Sequence, residues 1–190
     1  MDPYFKKEIK YRFESENFTF DVGNTLFSTY EMDHGTDCLL RAMTFDKPHT
    51  ILDIGCGYGP IGIILAKKFP RSSIVMLDKD LLAIRYSKLN AQKNGVGNVE
   101  ILGSVGTEVV SERKFDLIVS NVPAKIGDEA ITNDFILNPY SLLNPGGSLW
   151  LVVVTGLNHL IPRVGTRNEL NLKEIKKRNG HSVYQIKKPE

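Results

Sequence analysis

A chain of 190 residues, 42% hydrophobic and 24% charged, carries enough apolar side chain for one packed core and too little length for two roomy ones. Its formal net charge of +2 is too small to announce a polyanionic partner by itself. The two cysteines, Cys38 and Cys56, show no metal-ligand spacing, and neither a signal core in "MDPYFKKEIK" nor a membrane-length apolar run occurs; a cytoplasmic, metal-free protein is expected.

At the start, "KKEIKYRFESENFTF" alternates apolar and polar residues through Ile9, Tyr11 and Phe13, as a half-exposed strand does. Residues 1–45 are expected to cap a core spanning 46–190, so that the whole chain forms one domain. From residue 50 onward, short β-rich runs alternate with helical stretches. Thr50–Ile54 and Ser73–Asp78 read as buried strands on either side of a helix at 60–69. A second helix over 81–94 offers Leu82, Ile84, Leu89 and Ala91 as its apolar positions and closes at Asn94-Gly95. Strands are predicted at 99–102 and 115–120, a helix at 134–143, a turn at "NPGG" and another buried strand at "SLWLVVV". Such alternation means a parallel sheet covered on both faces.

The tail changes rhythm. In "NLKEIKKRNGHSVYQIKK", Asn179-Gly180 separates two extended segments, and that dipeptide takes the left-handed dihedrals of a tight hairpin at low cost. The expected fold is therefore α/β, a doubly wound and mostly parallel seven-stranded sheet ending in an antiparallel hairpin.

"ILDIGCGYGPIG", residues 51–62, carries the chemistry. Gly57, Gly59 and Gly62 match the dinucleotide fingerprint, with Asp78 downstream at a distance that suits a ribose contact. Two details favour a different ligand. The glycine series begins at Gly55, and Asp53 ends the first strand. A carboxylate facing this turn repels a pyrophosphate and favours an ammonium or sulfonium cation. S-adenosylmethionine fits, with Asp53 near its amino-acid end and Asp78 on its ribose hydroxyls. The candidate cofactor residues are Asp53, Gly55, Cys56, Gly57, Gly59, Asp78 and Lys79, with Ser104 and Asn121 after the later strands. At this point NAD-dependent oxidoreduction also stays open on the literal glycine match.

"DIGCGYG" followed by "IVMLDKDLLAIRYSKLNAQKNGV" resembles the first two motifs of class I S-adenosylmethionine-dependent methyltransferases. More closely, the chain resembles the methyltransferase small domain, as found in small-subunit rRNA guanine-N2 methyltransferases and archaeal relatives. "FDVGNTLFSTYEMDHGTDCLL" is similar to that family's entrance segment, where a Phe-Ser pair precedes an Asp-x-Gly-Thr run before a helix. The resemblance implies a Rossmann-like methyltransferase fold and places Phe27, Ser28 and Gly35-Thr36 around the cofactor or target entrance.

The loop after the fourth predicted strand, "SNVPAKIG", should face the cofactor turn, because ligands of open α/β sheets sit outside the carboxyl ends of the strands. Amino-methyltransferases of the resembling class carry Asn-Pro-Pro there, followed by an aromatic or, in some relatives, an aliphatic residue. This chain keeps Asn121 and Pro123 but has Val122 and Ala124. The Asn121 side-chain carbonyl and the backbone carbonyl of Val122 can still aim an amine, and Pro123 still holds residue 122 extended. Ala124 cannot stack on a base; Phe27 and Tyr30 are candidates for that face. In the loop after the third strand, "LGSVGTE" offers Ser104 to the adenine and no acid in the immediate turn.

Basic residues gather at Lys6, Lys7, Lys10 and Arg12, at Arg163 and Arg167, and at Lys173, Lys176, Lys177 and Arg178. On a shared face they would form a rim for RNA, as free rRNA or within a ribosomal particle. The expected activity is methyl transfer to an exocyclic amine of RNA, guanine N2 of rRNA foremost. A protein-glutamine or small-molecule N-methyltransferase, and a non-catalytic cofactor- or RNA-binding module, stand as alternatives.

Overall fold

Strand alternation sorts the apolar side chains onto two faces of one sheet. In the computed structural model, which describes residues 2–26, 31–44 and 47–190, the chain opens with β1 (Phe5–Phe13) and β2 (Glu16–Gly23), an antiparallel pair. The main sheet follows: β3 (Thr50–Ile54), β4 (Ser73–Asp78), β5 (Val99–Gly103), β6 (Phe115–Asn121), β7 (Leu143–Val154), β8 (Asn171–Arg178) and β9 (His181–Lys187). Their spatial order is β5-β4-β3-β6-β7-β9-β8. The first five are mutually parallel, while β9 runs antiparallel to both β7 and β8. The doubly wound sheet with an antiparallel end is thus the architecture that the sequence predicts, and Asn179 and Gly180, with φ of 49° and 74°, make its hairpin turn.

One face carries Ile51, Met76, Val119 and Trp150, covered by α1 (His34–Ala42), α2 (Pro60–Lys68), α3 (Leu81–Lys93) and the β1–β2 pair. The other face carries Leu52, Leu77, Ile118 and Leu151. It is covered by a helical run over 128–141 and by α6 (Leu160–Arg167). That run comprises α4 (Asp128–Ala130), a π-helical segment (Ile131–Leu137) and α5 (Asn138–Ser141). Neighbouring residues of each parallel strand fall into opposite clusters, as a two-residue period requires.

Several expectations need correction. The opening alternation is two strands, not one: Glu14 turns the chain with a φ of 52°, and no glycine or asparagine marks it. The helix expected at 134–143 begins at Asp128 and ends at Ser141, while "NPGG" lies within β7 instead of in a free turn. There the β6–β7 register shifts, and Gly147 passes so close to the Phe115 and Asp116 carbonyls that a Cβ would sit 3.2 and 3.1 Å from them. On α3, Leu89 is 40% exposed and the inward position belongs to Asn90. Asn90 is fully buried, donating to the Tyr58 and Asp21 carbonyls and accepting from Asp21 N–H. Helix α6 carries no clear sequence signal, since Pro162 and Gly165 break its pattern.

Candidate active site

The chain leaves β3 to build β4 and β5 on one side and later returns to build β6 and β7 on the other. The point where the winding reverses lies between β3 and β6, which is where open α/β sheets hold ligands. The glycine turn leaves β3 there and Asn121 ends β6 beside it. Ser120 locks the two ends together by donating its hydroxyl to the Ile54 carbonyl at 2.7 Å.

The turn needs glycine for conformation. Gly55, Gly57 and Gly59 have φ of 70°, 58° and 99°, in the region where an L side chain is strained. Gly59 caps α2 in the left-handed conformation and Pro60 starts the helix. A Cβ on Gly57 would meet nothing within 4 Å, so the turn faces open space there. Cys56 turns its side chain inward beside Ser87, which leaves its backbone as the part that borders the turn.

Asp53, expected to face the turn from the end of the first strand, lies deeper than that reading needs. It is completely buried beneath the turn, where Oδ2 accepts from Gly62 N–H at 2.8 Å. Burial pushes its carboxyl up to about 7; the Gly62 hydrogen bond opposes that rise and the nearby Asp78 charge adds to it. The backbone of the turn, and not an exposed carboxylate, is what suits a pyrophosphate poorly. Gly57 N–H already donates to Asp78 Oδ2 at 2.8 Å, Gly59 N–H to the Cys56 carbonyl, and Gly62 N–H to Asp53. The amides a dinucleotide loop turns toward phosphate are here committed to the protein's own acceptors.

S-adenosylmethionine fits these groups. Asp78, half-buried at the end of β4, uses Oδ1 for Asp80 N–H and Oδ2 for Gly57 N–H; a carboxylate with about four acceptor sites keeps room for two ribose hydroxyls. Asp53 Oδ1 and the Tyr58 hydroxyl are both buried without a hydrogen-bond partner among the described residues, so polar capacity lies unspent around the turn. Lys79 is exposed next to Asp78. The Ser104 hydroxyl is spent within its own loop, on the Val105 carbonyl and Val109 N–H. An acid does reach this loop, but from a distant segment: a Cβ on Gly106 would sit 3.4 Å from Asp134 Oδ1. Asp134 belongs to the π-helical segment, whose Phe135 also lies against Gly55. No spacing in the sequence joins residues 106 and 134; an inserted π turn beside a glycine nest is the structural signal.

At the β6 end, the Asn121 amide nitrogen donates to Asp33 Oδ2 at 2.6 Å and to the Thr36 hydroxyl at 3.1 Å. Asp33 is also the N-cap of α1, accepting from Thr36 N–H, so the Asp-x-Gly-Thr run forms the helix start instead of preceding it. A flipped Asn121 would set its oxygen against a carboxylate, so the carbonyl is turned away from Asp33 and available as an acceptor. Gly35 permits this closeness, since a Cβ there would stand 2.9 Å from Asp33 Oδ2 and 3.3 Å from Asn121 Nδ2. Val122 is buried and bonded through its N–H to the Val152 carbonyl, whereas Pro123 and Ala124 are exposed. Phe27, Ser28 and Tyr30 lie outside the described residues. Sequence reasoning misses Asp33; only its place before Gly35-Thr36 hints at it.

The methyltransferase small domain profile matches residues 17–185. The chain is 35% identical to YbxB, an uncharacterized protein of Bacillus subtilis, over 78% of this chain and 74% of that one. It is also 35% identical to the ribosomal RNA small subunit methyltransferase C of Hahella chejuensis, over 67% of this chain but 37% of the relative. For the same-named protein of Photorhabdus laumondii the identity is 33%, over 78% and 47%. The chain thus spans less than half the length of these named relatives. In fold it is similar to the T. thermophilus 16S rRNA N2 G1207 methyltransferase in complex with AdoMet and guanosine, with a TM-score of 0.80 at 22% identity, over 96% of this chain and 50% of that one. A methyltransferase from Pyrococcus furiosus gives 0.73 at 22% identity, over 90% of both chains.

Proposed function

Because the chain belongs to the methyltransferase small domain family, we propose that it methylates an exocyclic amine of a nucleobase in RNA, guanine N2 of ribosomal RNA foremost. The cofactor is S-adenosylmethionine, which supplies a methyl group activated on sulfonium. The observation that carries the reading is the Asn121 amide, anchored by its nitrogen at the carboxyl end of β6 beside the glycine turn.

An exocyclic amine on a purine is a poor nucleophile because its lone pair is delocalised into the ring. Two acceptors on its hydrogens, Asn121 Oδ1 and the Val122 carbonyl, hold the nitrogen with its lone pair toward the methyl carbon. Bound at the glycine turn, S-adenosylmethionine would supply the methyl as an electrophile and leave as a neutral thioether, with the proton displaced from the amine passing to water. Orientation of this kind supplies up to about 7–11 kcal/mol of a barrier. The absent aromatic at Ala124 supports a second reading, in which the amide nitrogen of a protein glutamine takes the same pair of acceptors.

The named rRNA methyltransferase relatives support an RNA substrate and, with it, a cytoplasmic site of action. Incubation of the protein with labelled S-adenosylmethionine and total RNA tests this, followed by mapping of modified rRNA nucleosides with and without the gene. Label in RNA and one missing N2-methylguanosine are expected. Label found only in protein would select the glutamine reading, and no label anywhere would leave a binding module.

A further inference from the structure

A groove lies along α1, the helix whose N-cap Asp33 anchors Asn121. Helix α1 presents His34, Asp37, Cys38 and Arg41 along one stripe, at the spacing of successive turns, and this stripe faces Lys176, Arg178 and Asn179 at the turn end of β8. Together they line a cavity of about 250 Å³. The clusters that the sequence scatters, one basic run in the tail and one arginine in the entrance helix, meet here.

The charges within the groove are unequally committed. Asp37 Oδ1 accepts from the Tyr11 hydroxyl at 2.7 Å and from Arg41 Nε at 2.8 Å. His34 lies 3.8 Å from Glu31 at the outer edge. Lys176 and Arg178 have no ion pair among the described residues. Three cations against one lining carboxylate leave a surplus of two, as large as the net charge of the whole chain, +2. An ammonium and a guanidinium lining a cavity whose one carboxylate, Asp37, already accepts from Tyr11 and Arg41 match a phosphodiester, which accepts point charges and forked donors alike.

Position gives the groove its meaning. His34 follows Asp33, the residue that holds Asn121, and His181, which starts β9 just past the groove's Asn179, lies against Gly35. We propose that this groove receives a backbone phosphodiester of the RNA strand that carries the target base, fixing the strand so that its amine falls at Asn121. The proposal rests on the RNA reading above. It also gives the base a hold other than stacking at the position where Ala124 offers none: the strand is gripped by its backbone beside the target.

The test is equilibrium binding of the full chain to a fluorescein-labelled single-stranded rRNA oligonucleotide across a salt series, with S-adenosylmethionine affinity measured alongside by calorimetry. K176A/R178A is expected to bind RNA more weakly, to reduce the slope of log affinity against log salt by about 0.7 for each phosphate no longer held, and to keep wild-type cofactor affinity. K176R/R178K should retain the slope. K173A/K177A, which removes the same charge from lysines outside the groove, should retain it too. Equal losses in K176A/R178A and K173A/K177A would mean diffuse attraction and overturn the groove. Wild-type slope in K176A/R178A, in a preparation that labels RNA, would overturn the groove while leaving the methyltransferase reading intact. Inorganic phosphate that perturbs Cys38 and His34 NMR signals while RNA leaves them untouched would assign the groove to a free anion and overturn the strand contact. A wild-type protein that binds cofactor but neither binds nor labels RNA would overturn both.

Discussion

Asn121 and Asp33, 88 positions apart in the chain, meet at 2.6 Å between an amide nitrogen and a carboxylate oxygen. The contact joins the end of a central strand to the start of α1, and it turns the amide nitrogen toward Asp33 and the amide oxygen away from it. Asn121→Ala should lower kcat by about a hundredfold while cofactor affinity stays the same, since loss of an aligned acceptor resembles a misplacement of the reacting group. Asp33→Ala should lower kcat in the same direction and also cost about 1 kcal/mol of stability as the N-cap is removed. Asp33→Asn, which can cap the helix and accept from Asn121, should recover most of the rate. Single-turnover methylation and thermal melts check this; equal rates in Asp33→Ala and Asp33→Asn would reduce the contact to a helix cap.

Gly57 and Gly62 separate function from packing within one turn. A methyl on Gly57 enters open space, so Gly57→Ala should fold, at a backbone cost of about 1–2 kcal/mol, and lose cofactor binding. A methyl on Gly62 would stand 2.7 Å from Met76 and 3.0 Å from Asp53 Oδ2 in the core. Gly62→Ala should therefore lower Tm further than Gly57→Ala does, and loss of cofactor binding there should track loss of fold. Circular dichroism melts with calorimetry on both variants distinguish the cases.

Asp78 sits where its carboxylate holds Gly57 N–H and still has acceptor capacity. Asp78→Ala should weaken S-adenosylmethionine binding about 10- to 100-fold, the worth of charge-assisted hydrogen bonds. Unchanged affinity by calorimetry would move the ribose elsewhere.

The buried Asp53 makes stability depend on pH. Its carboxyl is raised to about 7 in the fold, above the roughly 4 of an unfolded chain, so the folded state binds this proton more tightly. The stability so gained is complete below the unfolded value and is lost as pH rises through the folded one. Asp53→Asn keeps an acceptor for Gly62 and removes the titration. The Tm of the wild type relative to this variant should fall between about pH 4 and about pH 7 and level off above that; a pH-independent difference would contradict the linkage.

The strands of the parallel core are legible because each is a short apolar run ended by chemistry: Thr50–Ile54 stops at the glycine turn and Ser73–Asp78 at its own acid. Asn179-Gly180 announces its turn through dihedrals that few other pairs adopt. What stays hidden shares a cause. Glu14 takes a left-handed turn without a residue that favours one, and Asn90 wins an inward position over Leu89 by satisfying three backbone groups. At the site, Asn121 and Asp78 can be placed from strand ends, while Asp33 bonds Asn121, and Asp134 lies against Gly106, only because the folded chain brings them near. Asp53 is visible in the sequence but its depth is not, because a strand-end acid looks the same whether it faces solvent or an amide beneath the turn.

Asn90 also ties two regions into a single mechanical element. Its side-chain nitrogen reaches both the Tyr58 carbonyl inside the glycine turn and the Asp21 carbonyl of β2, while its oxygen takes Asp21 N–H. The lead-in hairpin and the cofactor turn therefore share a rivet, and neither can loosen without releasing the other. Removing that one amide, as in Asn90→Leu, should therefore loosen the hairpin and the glycine turn together.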